Sequence, residues 1–183
     1  MIIAQQKRHE NIAEYLLYMW QVEDMIRACA LDINLVDERI ISKYDLPATQ
    51  RAQVRDWWES LIMMMKAEGV KQSGHLQINT NVLSDMTDLH LRLLKDGHDA
   101  IYTSCFYSTL PYIVELRGRE GENKLGELET CFTALYGVMI LNMQKREISE
   151  QTKVAMQQIS KFIALLADKY NAWKKGELKF DED

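Results

Sequence analysis

Between Glu150 and Trp173 apolar side chains return every three or four residues: Ala155, Ile159, Phe162, Ile163, Leu166, Tyr170 and Trp173. Lys153, Gln157, Lys161 and Asp168 fall on the other side of the same helical wheel. A repeat of this length turns one stripe inward and the other to water, and no strand sustains it. The pattern recurs along the chain. Ile12, Leu16, Met19, Trp20 and Ile26 share a face of a helix expected from about residue 4 to residue 30. Val54, Trp57, Trp58, Leu61, Met64 and Met65 mark another, which opens at Pro47 and stops at Gly69. Val82, Leu83, Met86, Leu89 and Leu93 mark a third that ends at Gly97. Leu125, Leu128, Phe132, Leu135, Tyr136, Met139 and Met143 mark one more before the last.

What joins these helices is short. With 8 Gly and 2 Pro in 183 residues, the chain lacks the punctuation of a many-stranded sheet. Pro47 suits a first helical turn, where its missing N–H would be unpaired anyway. Pro111, inside "AIYTSCFYSTLPYIVELR", removes one backbone hydrogen bond and predicts a kink or a break. "VKQSGHLQINTN" and "GREGEN" read as loops, with Asn79 or Thr80, and later Ser149, as helix caps. Residues 31–46 read as a short helix or a lid ending before Pro47. The expectation is an all-α fold, an up-and-down bundle of five or six amphipathic helices. It forms a single helical domain over residues 1–176, and residues 177–183 form a charged, flexible tail.

Charge and cysteine usage narrow the function classes. A net charge of −5, without a run of Lys or Arg, opposes nucleic-acid binding, which needs cations against phosphates. No run of eighteen apolar residues occurs, so no membrane span is expected. Cys29, Cys105 and Cys131 are odd in number and far apart, and read as reduced core thiols of a cytoplasmic protein. Cys105 and Cys131 sit among apolar neighbours, where a thiol stays protonated and inert.

The most informative polar residues lie in "ENIAEYLLYMWQVEDMIRA". On the wheel Glu23 and Arg27 fall within about 20° of Leu16, together with Gln5 and His9. A carboxylate drawn out of water must be paired, and Glu23 precedes Arg27 by one turn in the favourable order. One reading is a structural ion pair, joined by Arg117 or Arg119, that sets helix register. The other is a polar pocket of His9, Glu23 and Arg27 with Tyr112 nearby, in which Arg27 holds a small anionic ligand in a two-pronged hydrogen bond. His90 reads as a hydrogen-bonded core histidine. No HExxH, Glu-x-x-His, GxSxG, P-loop or GxGxxG is present, so no catalytic residue, metal or cofactor is expected.

Ten methionines and four tryptophans exceed what one inward face per helix requires. Trp57, Trp58 and Met63 are candidate contacts with a second copy or another protein, since Met adapts to surfaces and aromatics anchor them. Ile62 and Met63 are expected exposed in a monomer, and Gly137 is expected to permit close helix approach. The leading expectation is a non-enzymatic helical interaction or scaffolding protein that self-associates. The alternative is a binder of small anionic ligands, or an enzyme, with its pocket at Glu23 and Arg27.

"IAQQKRHENIAEYLLYMWQVEDMIRA", "ELETCFTALYGVMIL" and "REISEQTK" resemble a family of uncharacterised proteins of similar length. That family is known chiefly from Bacteroides and Porphyromonas and is catalogued as a domain of unknown function. The resemblance spans nearly the whole chain and is most specific at the N-terminus. It implies a bacterial, cytoplasmic origin and brings no activity, cofactor or site residue.

Overall fold

A computed structural model describes residues 2–119 and 125–180. These form eight α-helices: α1 (Ile2–Glu10), α2 (Ile12–Ala28), α3 (Ile33–Arg39), α4 (Ala48–Ala67), α5 (Gln77–Asp96), α6 (Ala100–Arg117), α7 (Glu127–Met143) and α8 (Glu150–Lys174). A 3-10 turn covers Ile41–Lys43, and no strand occurs among the described residues. The all-α class holds, whereas a count of five or six helices does not. Two places account for the difference. Asn11 interrupts the first helix, its side-chain Oδ1 accepting from the Ala13 amide at 3.0 Å, so that one expected helix becomes two. The 31–46 segment folds as α3 and the 3-10 turn, with Asp32 capping α3 by accepting from the Asn34 amide at 2.8 Å.

Pro111 does not break α6, which stays helical through Arg117. An interior proline costs about 3 kcal/mol. Here Tyr102, Phe106, Thr109 and Ile113 are buried on both sides of it, and that packing holds the helix together. The terminal signals act as read at several ends. Ser149 caps α8 by accepting from the Thr152 amide at 3.2 Å. Gly69, at φ +75°, turns the chain out of α4 while the Val70 amide donates to the Met65 carbonyl. Asn79 and Thr80 are not caps, because α5 already begins at Gln77.

The chain divides into two compact units: residues 1–10 with 14–82, and residues 11–13 with 83–183. In the first, Val36, Ile41, Trp58, Leu61, Ile62 and Met65 are buried, and Asp37 on α3 pairs with Arg51 on α4 at 2.9 Å. Ile62 therefore belongs to the core, contrary to expectation, while Met63 is 59% exposed. In the second unit α6 lies against α8, and α7 contacts both. The α8 stripe is buried at Ile159, Phe162, Ile163, Leu166 and Tyr170.

α7 departs from its expected stripe. Leu128, Cys131 and Phe132 are buried, but Leu135, Tyr136 and Met139 are only half-buried and Met143 is 60% exposed. Gly137 is exposed, and a Cβ added there would meet nothing within 4 Å, so no helix of the second unit approaches it closely. Most of the loop read at "GREGEN", and residues 181–183 of the expected tail, lie outside the described residues.

Candidate functional site

Glu23 is fully buried, and the reason it can be is a segment fifty residues further along. The chain leaving α4 turns at Gly69 and Gly74 and re-enters helix at Gln77. Glu23 Oε1 accepts from the Leu76 amide at 2.9 Å and from Asn79 Nδ2 at 2.6 Å. Its Oε2 lies 2.6 Å from His75 Nδ1. A carboxylate there only accepts, so Nδ1 carries a proton and donates it. The imidazole also stacks on Trp20, one turn before Glu23, with centroids 4.1 Å apart and planes 11° from parallel. Trp20 and Glu23 thus hold the histidine from two sides.

The same contacts finish α5. Its N-cap position is Leu76, which has no side chain able to accept from an exposed amide. Glu23 takes the Leu76 N–H, and Glu68 Oε2 accepts from the Gln77 N–H at 2.7 Å. Two carboxylates from α2 and the end of α4 therefore stand at the positive end of the α5 dipole.

Arg27 does not pair with Glu23. Its Nη1 donates to Asp24 at 2.8 Å, and its Nη2 donates to the Val70 carbonyl at 3.2 Å and to the Gly74 carbonyl. The expected i, i+4 pair loses to the loop because the loop offers partners to both side chains. The carbonyls of Val70 and Gly74 need a donor, and the amides of Leu76 and Asn79 need an acceptor. Glu23 and Arg27 divide that work between them.

Of the other anticipated site residues, His9 lies on α1, beyond the break at Asn11, and is exposed. Tyr112 belongs to α6 in the second unit, and Arg119 there pairs with Glu115 at 2.5 Å. Trp58 is fully buried with its ring edge-on to Trp57, so it cannot present itself to a partner, while Trp57 is half-buried. His75 and Asn79 were missed as partners of Glu23. The available signal was chemical rather than positional: a buried acid needs donors, and "SGHLQINTN" offers a histidine and an amide one turn apart.

A second buried polar centre lies in the second unit. His90 Nδ1 is 2.6 Å from the Tyr102 hydroxyl, and the ring meets Phe106 and Phe162 edge-on. Its Nε2 is buried without a hydrogen-bond partner, with the nearest Glu127 oxygen 3.7 Å away. Burial holds the imidazole below its ordinary range, against the opposing pull of Glu127. Burial likewise pushes the Cys131 thiol up to about 12, which leaves it protonated and unreactive. Among the described residues no group of three or more His, Cys, Asp or Glu side chains could hold a metal ion. No helix among them is long and apolar enough to cross a membrane.

The first unit also carries a cleft of about 640 Å³ between α1 and the start of α4. Leu46, Val54 and Tyr44 give it an apolar floor, and Lys43, Asp45 and Gln50 are among its polar walls. Burial raises the Tyr44 phenol, and pushes that of neighbouring Tyr18 up to about 12. Gln5 reaches this cleft, whereas Glu23 and Arg27 do not line it.

Comparison with curated proteins finds no match, and neither does comparison with solved structures. A family model covers residues 1–177. The chain belongs to the family described as a domain of unknown function, DUF4924.

Proposed function

We propose that this chain is a non-catalytic helical interaction protein that associates with a second copy of itself. One observation carries the reading: the second half of α7 is apolar on every side, yet none of it is buried. From Leu135 to Leu141 the helix reads LYGVMIL, with six side chains half-buried and Gly137 exposed. A helix hydrophobic all round belongs inside a core or an interface, and here the chain covers it only in part. The polar groups best placed to form a ligand site are, by contrast, consumed by the fold. Glu23 and Arg27 spend their hydrogen bonds on the 70–79 segment, and the buried atoms of this cluster left without a partner are Arg27 Nε and Asn79 Oδ1.

A cytoplasmic setting fits the three free cysteines, Cys29, Cys105 and Cys131. A Bacteroides-type bacterial origin remains part of this proposal through the resemblance alone. The test is size-exclusion chromatography with light scattering over a hundredfold range of concentration, "hundredfold" being roughly the span in which a micromolar dimer dissociates. A mass that rises to twice 21.4 kDa supports the reading. A strict monomer throughout contradicts it.

A second reading, binding of a small anionic ligand, has the cleft at Tyr44 in its favour, since its size matches ligand pockets and Lys43 supplies a cation. Thermal shift with a panel of aromatic and aliphatic carboxylates tests it. Stabilisation lost in Lys43→Ala supports this reading, and no stabilisation by any member removes it.

A further inference from the structure

We propose that two copies of this chain meet along α7, antiparallel, with Gly137 at the centre of the seam. This rests on the interaction reading above and adds the surface and the orientation. Glycine inside a helix costs about 1 kcal/mol against alanine. Within one chain the missing Cβ serves nothing, because an added methyl would have open space around it. A glycine is useful there only to a backbone arriving from outside.

The face around Gly137 has a direction. Residues three and four positions away share its side of the helix, which places Thr133 and Ala134 before it and Ile140 and Leu141 after it. The half before the glycine is small and the half after it is bulky. Turned antiparallel about Gly137, each copy lays its Ile140 and Leu141 over the other's small half. A parallel arrangement stacks bulk on bulk.

Charge selects the same arrangement and the same occupant. From Thr130 to Gln144 the sequence holds no charged residue, so two identical faces meet without like-charge repulsion. Glu129 stands in the first turn of α7 and Lys145 follows its last, each eight residues from Gly137. Antiparallel copies bring Glu129 of one to Lys145 of the other, and their helix dipoles oppose. A twofold axis needs a patch complementary to itself, and this one is.

The experiment uses the full chain in two forms. Gly137→Glu places a charge at the centre of the seam where no other part of the chain is disturbed. Its mass by sedimentation equilibrium is expected to be that of a monomer, with association weakened by at least about tenfold and the melting temperature unchanged or raised. Gly137→Cys, in a Cys105→Ser background, is expected to form an interchain disulfide under mild oxidation, because position 137 faces its own copy. Met143→Cys in that background is expected not to, since the antiparallel arrangement separates the two helix ends. A wild-type monomer overturns this seam and the interaction reading together. A wild-type dimer that persists in Gly137→Glu overturns the seam alone. Cross-linking at 143 rather than 137 overturns the antiparallel arrangement.

Discussion

Glu23 in the first unit and His90 in the second are both polar side chains withdrawn from water, and the chain treats them differently. Glu23 has both oxygens occupied, by three donors from residues 75, 76 and 79. His90 has one nitrogen bonded to Tyr102 and the other 3.7 Å from Glu127, short of a hydrogen bond. The first group is retained as a hydrogen-bonded acid and organises a loop. The second is retained by staying neutral. A buried polar residue is therefore no signature of a ligand site until its partners have been counted, and in this chain both sets of partners are internal.

The largest expected effect tests the first half of that comparison. Glu23→Ala leaves the Leu76 amide and the Asn79 side chain buried without an acceptor, and should lower stability by about 3–5 kcal/mol in urea unfolding. A loss under about 1 kcal/mol, the scale of an ordinary surface ion pair, would show that the loop does not depend on it. Arg27→Ala removes the donor to two loop carbonyls and is expected to cost about 1.5–3 kcal/mol, the range for hydrogen bonds to charged groups. An Arg27→Ala protein as stable as the parent would instead return Arg27 to the list of ligand contacts.

These residues also mark how far the sequence could be read. The α8 stripe and the caps at Ser149 and Gly69 were legible because local periodicity and local backbone demands decide them. Glu23 was legible as an inward acid. Its partners were not, since the wheel sees only neighbours three and four residues away, and Arg27 was the one it could see. His75 lies 52 residues beyond Glu23, brought there by the turn out of α4. The break at Asn11 was hidden for a related reason: apolar spacing continues across it, while the cap that interrupts it is a single side chain. α7 shows the opposite failure. Its apolar run reads as core by composition, and only the packing of α6 and α8 reveals that half of it is covered in part.

Smaller effects sharpen the second half of the comparison. Asp99 caps α6 by accepting from the Tyr102 amide at 2.9 Å and meets Lys169 at 2.5 Å. Asp99→Ala should cost about 1 kcal/mol, the usual value of a cap. The Lys169 hydrogen bond holds the Asp99 carboxyl below the ordinary aspartate range. Its contribution is therefore complete above about pH 4 and is lost as pH falls toward the folded value. The Asp99→Ala protein should lose less stability over that interval than the parent.

His90 gives the smallest and most specific signal. Its folded pKa is lowered, chiefly by burial. Below about pH 6.5 the unfolded chain binds the proton first, so the stability contributed by the neutral ring declines from there toward the lower, folded value. His90→Gln, which can still bond Tyr102 but does not titrate, should flatten that part of the curve. An unaltered slope would mean that the ring accepts its proton without leaving the aromatic cage.

Native-state hydrogen exchange at the Leu76 amide addresses the claim that Glu23 serves the fold. That amide sits outside any helix ladder and donates to the Glu23 carboxylate. In the parent protein it should exchange as slowly as the core amides of α5, through global unfolding, and in Glu23→Gln it should become much faster while the α5 core stays protected. Rapid exchange of Leu76 in the parent would contradict the account and leave Glu23 free for a ligand.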